Sequence, residues 1–219
     1  MTTNTNNTFK QILTDISKMP YYKNCSACSG LTTAPANHEI AIEHVFNSYN
    51  MFQFDGIKLK KKDKQDLNYV LETMPNFTYI SQPFGSQDSP DFIIKDENGI
   101  ILCIEAKSST TLYPLYNSGG IHPHYIYIFC SEKSNETVIY KGSDIINEQQ
   151  HRLITEHIEL QRQQDIELNK KLAEIDSNNR GVSYYTRPMI GQKGTAEKTN
   201  YFTHINKHSA INNVINYTD

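Results

Sequence analysis

The sequence has no tryptophan, only four cysteines in 219 residues, and no apolar run approaching the ~18–20 residues that span a bilayer. The last absence argues against a transmembrane helix. The opening MTTNTNNTF is polar and lacks the basic-then-apolar pattern of a secretory leader. The expectation is therefore a cytoplasmic chain with no membrane partner and a frayed tail over residues 1–8. The cysteines agree with that setting. Cys103 and Cys130 sit in apolar runs, where a free thiol behaves as a small hydrophobe. Cys25 and Cys28 form a lone CxxC, and no second pair follows at the spacing a four-ligand zinc site needs. An excess of positive charge is missing too. With 21 basic and 24 acidic residues the net charge is −3, which argues against a coat protein that binds DNA irrespective of sequence. It leaves room for an enzyme that gathers cations in one cleft and offsets its carboxylates with metal.

What is present is enough apolar material, 37% of residues, for one domain with a sizeable core. No repeat and no Pro/Gly linker divides residues 1–219. Phe9, Ile12, Leu13 and Ile16 fall at helical spacing and predict a helix over residues 9–19. Asn37 reads as the N-cap of a second helix reaching residue 49. Lys58, Lys60, Lys61, Lys62 and Lys64 form a basic run, read as solvated surface or a phosphate-contacting edge. Residues 66–74 suit a short helix. Strands are expected at 77–81, 91–95, 100–107, 125–130 and 136–140. Residues 144–176 suit one long helix or two joined ones packed across the sheet. Residues 180–219 are expected to be irregular, with possible strands at 182–185 and 201–205. The fold class is α/β, with a central mixed sheet.

The chemistry gathers on two of these strands. In ILCIEAK, residues 101–107, side chains alternate faces, so Glu105 and Lys107 share one face while Leu102, Ile104 and Ala106 take the other. The preceding strand opens Ser89-Pro90-Asp91. A three-residue loop over 97–99, with Gly99 left-handed, would set Asp91 opposite Glu105, and a four-residue loop would shift it by one. Either register brings two carboxylates and a lysine to the same end of a hairpin. Such carboxylates repel unless a hard cation lies between them. Mg²⁺ suits the place because it accepts one or two carboxylates and completes its shell with water and phosphate oxygens.

Pro90-Asp91 followed after a β-turn by Glu105-Ala106-Lys107 resembles the PD-(D/E)xK nuclease superfamily. The flanking QPFGSQDSPDF and the following KSS make the chain look like a type II restriction endonuclease. The resemblance covers about residues 80–130. It implies a restriction-endonuclease-like core in a single nuclease domain. It also implies Mg²⁺ on Asp91, Glu105 and the Ala106 carbonyl, with Lys107 as the catalytic lysine. The implied reaction cuts double-stranded DNA at a short sequence and leaves a 5′-phosphate and a 3′-hydroxyl. Many members add an acidic residue from an N-terminal helix. Glu39 is preferred over Glu43 here, because Ile42 and Phe46 follow it on an anchoring face. A homodimer is expected on a palindromic target. A DNA methyltransferase is expected to protect host sites without being a bound partner. A repair or junction-resolving nuclease is the alternative, and a non-catalytic DNA-binding module a third reading.

Candidate DNA contacts lie outside that window or at its edge. Ser86 and Gln87 precede the Asp91 strand and suit phosphate contacts. Residues 180–193, RGVSYYTRPMIGQK, offer Arg180, Tyr185, Arg187, Gln192 and Lys193 for base or phosphate contacts. His122-Pro123-His124 lacks a matched third ligand and reads as loop. Residues 113–120 are turn-rich and are placed to line the cleft.

Overall fold

Short β-prone runs separated by turn formers become six strands, in a computed structural model that describes residues 8–24, 37–60, 63, 66–67, 71–86, 88–117, 120–192 and 194–217. The strands are β1 (Phe52–Gln53), β2 (Thr78–Ser81), β3 (Phe92–Lys95), β4 (Ile101–Ser109), β5 (Ile126–Ser131) and β6 (Glu136–Lys141). They form one sheet in chain order. The β1–β2 and β4–β5 pairs are parallel, and the other three are antiparallel. Around the sheet lie α1 (Thr8–Ile16), α2 (His38–Ser48), α3 (Glu148–Glu174), α4 (Ala196–Thr199) and α5 (Lys207–Ile215). The result is an α/β fold with a six-stranded mixed sheet flanked by helices. Among the described residues no helix is long and apolar enough to cross a membrane.

Strand alternation sends Phe92 and Ile94, Ile104 and Ala106, Ile126 and Ile128, and Ile139 to one face. There they bury against α1 (Phe9, Ile12, Leu13, Ile16), α2 (Ala41, Ile42, Phe46) and Val214 of α5. The other face carries two separate clusters. Ile80, Ile93, Leu71, Met74 and Phe84 cover the β2–β4 side, with Cys103 packed against them. Tyr127, Phe129, Val138 and Tyr140 form the β5–β6 side with Tyr116, Tyr201 and Phe202. Cys130 is a buried free thiol, as its apolar run implies, and Cys103 is partly buried. Cys25 and Cys28 lie outside the described residues.

Helix starts follow the sequence closely. Asn37 accepts the Ile40 amide at 2.8 Å, the N-cap expected for α2. Asn147 and Gln150 exchange side-chain and backbone hydrogen bonds at the start of α3.

Three expectations fail. The long helix forms, but of its residues only Ile154, partly buried against the β5–β6 cluster, packs against the sheet's hydrophobic clusters. None of its residues is buried, because its apolar side chains are spread around a mainly polar helix. The strand expected at 182–185 is absent. That segment runs extended along α3, with its backbone bonded to helix side chains: Asn169 to Tyr184 and Asp165 to Thr186. With those groups taken, no ladder forms. The strand expected at 201–205 is instead a turn leading into α5. Of the helix expected at 66–74, only the ends are described, and residues 71–73 form a turn. Two-residue β1 is too short to leave a period-2 signal.

His38 makes the α2 packing sensitive to pH. It is buried, its Nε2 donates to the Ile128 carbonyl at 3.1 Å, and Nδ1 has no partner. Burial pushes its pKa down to about 4. Between the ordinary His value of about 6.5 and that value, the unfolded chain takes a proton that the fold refuses. Its contribution is therefore intact above pH ~6.5 and lost as pH falls toward 4, a penalty of up to about 3 kcal/mol. In urea titrations, the stability of the parent relative to His38→Gln should fall by that order between pH 7 and pH 4.5. A difference independent of pH would contradict the assignment.

Candidate active site

The hairpin joining β3 to β4 is a three-residue turn. The Asp96 amide donates to the Ile100 carbonyl at 3.0 Å, and Gly99 has φ +85°. A side chain at Gly99 would be strained in that conformation. Asp96 is fully buried, and its carboxylate accepts the amides of Asn98 (2.9 Å) and Ile100 (2.7 Å) and the Tyr217 hydroxyl. These bonds settle the choice between the two loop lengths. Lys95 pairs with Ile101 and Phe92 with Ile104, so one step further Asp91 lies across from Glu105.

β3 starts only at Phe92, so the Ala106 amide has no ladder partner on that side. It donates to Asp91 Oδ2 at 2.8 Å. Glu105 and Lys107 share a face, and Lys107 Nζ donates to Glu105 Oε1 at 2.7 Å. A second bond runs from Lys107 Nζ to Asn117 Oδ1 at 3.2 Å. Glu105 is buried, and its Oε2 has no partner. Alternation places Asp91, Glu105 and Lys107 on the sheet face that carries the two separate clusters. Cys103 belongs to one cluster, while Tyr127 and Phe129, register partners of Glu105 and Lys107, belong to the other. The three residues thus lie between the two clusters on that face.

Burial, and then the charge of Glu105, push Asp91 up to about 7, and Glu39 adds to the effect from α2. The Ala106 amide and Lys107 oppose it. A buried Glu105 with one unpartnered oxygen and a part-buried Asp91 make a local excess of negative charge that a hard cation would relieve. Among the described residues, no group of three or more His, Cys, Asp or Glu is arranged to hold a metal ion. The oxygen donors that the hairpin brings together are the Asp91 and Glu105 carboxylates, a small set suited to an ion that keeps several waters.

Of the two helix carboxylates, Glu39 is the one whose charge bears on Asp91. Glu43 is committed elsewhere, accepting the Ser81 hydroxyl at 2.6 Å. Ile42 and Phe46 are fully buried, as the anchoring of that helix face requires. Asn117 was not singled out by the sequence. It lies inside the turn-rich segment expected to line the cleft, but only the fold shows its contact with Lys107.

The other candidates are placed separately. Ser86 is exposed in the turn before β3, and Arg180, Tyr185 and Arg187 are exposed on the extended segment along α3. Gln192 is not free to read a base with both amide atoms, because its Oε1 accepts the Tyr201 hydroxyl. Gln87 and Lys193 lie outside the described residues. So do Lys61, Lys62 and Lys64, whereas Lys58 and Lys60 are exposed. His122 stacks on Tyr125 at 4.4 Å, and its Nε2 lies 3.3 Å from Ser89 Oγ, as a loop histidine. No protein-family model, curated protein or solved structure matches the chain.

Removing the Glu105 charge tests the account of Asp91. In Glu105→Gln, burial persists but the like charge is gone, so the Asp91 pKa should fall by about one unit. Carboxyl ¹³C NMR titration reads this directly. An unchanged Asp91 value would show that the two carboxylates are not electrostatically linked.

Proposed function

We propose that the chain is a Mg²⁺-dependent endonuclease of the PD-(D/E)xK type, acting on double-stranded DNA as a type II restriction enzyme. The observation that carries this reading is the meeting of Asp91, Glu105 and Lys107 at one end of the β3–β4 hairpin, with Glu105 Oε2 buried and unpartnered. A restriction-endonuclease-like core is part of the same proposal. The six-stranded mixed sheet is compatible with it.

Asp91, Glu105 and the Ala106 carbonyl would hold the cation. When bound, the ion supplies charge neutralisation at the scissile phosphate and acidifies the attacking water. The remaining work falls to the chain. An ammonium has three N–H donors. Lys107 spends two on Glu105 and Asn117, so its position is fixed and one donor is left for the water or a phosphate oxygen. The water oxygen bonds to phosphorus and the bond from phosphorus to the 3′-oxygen breaks. That oxygen takes up a proton, leaving a 3′-hydroxyl and a 5′-phosphate. Arg180, Tyr185 and Arg187 supply exposed groups for phosphate or base contacts, and Ser86 for phosphate.

The test is a Mg²⁺ digest of long duplex DNA with sequencing of the ends. Discrete fragments with 5′-phosphates are expected, whereas cleavage only of branched or damaged DNA would favour a repair or junction-resolving enzyme. Glu105→Ala and Lys107→Ala should each slow cutting by roughly a hundredfold or more while DNA binding survives. Normal cutting by either variant would remove this site from the reaction.

A further inference from the structure

A cavity of about 320 Å³ lies over β6, bordered by α4, the turn that follows it and the start of α5. Small-molecule sites typically measure roughly 300–1,000 Å³, so this one has the size of a single small ligand. Its floor is apolar, with Val138 and Tyr140 from β6 and Ile145 beside them. No residue of the β3–β4 hairpin lines it. Tyr140 pairs with Tyr127, and Tyr127 with Glu105, so two strand spacings, about 10 Å, separate the floor from that carboxylate.

The polar lining is turned toward donation. Gln192 Oε1 accepts the Tyr201 hydroxyl, which leaves the amide its two N–H donors. That orientation is held in depth. Because the Tyr201 proton goes to Gln192, Tyr201 accepts from Tyr116 at 2.6 Å, and Tyr116 accepts from Tyr140 at 2.9 Å. Asn200 Oδ1 accepts the Phe202 amide at 3.0 Å and likewise keeps its NH₂ group. His204 Nδ1 accepts the Asn206 amide at 3.1 Å, so the neutral ring carries its hydrogen on Nε2. Lys198 adds an exposed ammonium, and Lys207, bonded to Glu136 at 2.9 Å, keeps further N–H donors. Asp144 is the one carboxylate lining the cavity among the described residues. Both its oxygens are engaged, by the Lys141 amide at 2.9 Å and the Asn213 amide at 3.0 Å.

Such a lining calls for an anion rich in acceptors. Gln192, Asn200, His204, Lys198 and Lys207 together offer more donors than the roughly four lone-pair sites of a carboxylate can accept. A phosphate monoester brings three strong acceptor oxygens and nearly two negative charges at neutral pH. The apolar floor leaves room for an organic body. We propose that this cavity binds a small phosphate monoester of about nucleotide size. The five donor side chains hold the phosphate, and Val138, Tyr140 and Ile145 lie under the remainder. The site goes beyond the nuclease reading and does not depend on it.

The test is calorimetric titration of the full chain without divalent metal, so its failure is distinct from a failure to cut. Deoxyadenosine monophosphate should bind at least about tenfold more tightly than either deoxyadenosine or inorganic phosphate. Gln192→Glu still accepts the Tyr201 hydroxyl but replaces two donors with a negative charge. It should weaken the monophosphate by at least about tenfold. Lys198→Ala removes an exposed side chain and should weaken it severalfold with the parent's thermal melt. Glu105→Ala should bind the monophosphate as the parent does. The proposal is overturned by a monophosphate that does not bind at millimolar concentration, or binds no better than the nucleoside or phosphate alone. It is equally overturned by full binding in Gln192→Glu or by lost binding in Glu105→Ala. Displacement of the monophosphate by a duplex with unphosphorylated ends would assign the cavity to the DNA backbone and overturn it too.

Discussion

The turn between β3 and β4 is the constraint on which the site depends. Its three residues are held by the buried Asp96 carboxylate and by Gly99 at φ +85°. A slip of one residue in an antiparallel pair moves every side chain to the other face of its strand. Here it would carry Asp91 away from Glu105 and leave the Ala106 amide unpaired. The turn is itself anchored at both ends of the chain, by Tyr217 on Asp96 and by the α1 amide of Phe9 on Glu97. The N-terminal helix, the segment after α5 and the hairpin therefore hold one another in register.

The same hairpin concentrates cost. Two carboxylates are brought together in a buried setting, and one of their oxygens is left without a partner. Burial of like charge opposes folding, so a fold built for stability alone would not keep the pair. The cost is carried by the well-packed face beneath, where Phe92, Ile104 and Ala106 bury against α1 and α2. On the opposite face the two hydrophobic clusters stop short of each other.

Much of this was legible before folding was considered. Period-2 alternation in residues 101–107 put Glu105 and Lys107 on one face, and Asn37 announced its helix through local capping chemistry. These signals act over a few residues and survive in the sequence. What was not legible involves partners beyond the reach of strand or helix periodicity. Asn117 on Lys107, Ser81 on Glu43 and Tyr201 on Gln192 are meetings that no local pattern encodes. The extended segment along α3 was misread for the same reason. Its β-prone Val182, Tyr184 and Tyr185 suggest a strand, but Asn169 and Asp165 take its backbone groups first.

By itself the sequence determined the composition of the hairpin. It set which residues carry charge, which face each would take on its strand, and that a helix-prone stretch would follow β6. Local propensity and alternation suffice for that, because they depend on neighbours a few bonds away. Tertiary structure decided the register that sets Asp91 across from Glu105, the hydrogen bond that commits Glu43 to Ser81, and the exposure of α3. Those depend on which distant groups reach a backbone amide or an apolar face first, and the closed fold alone resolves that competition.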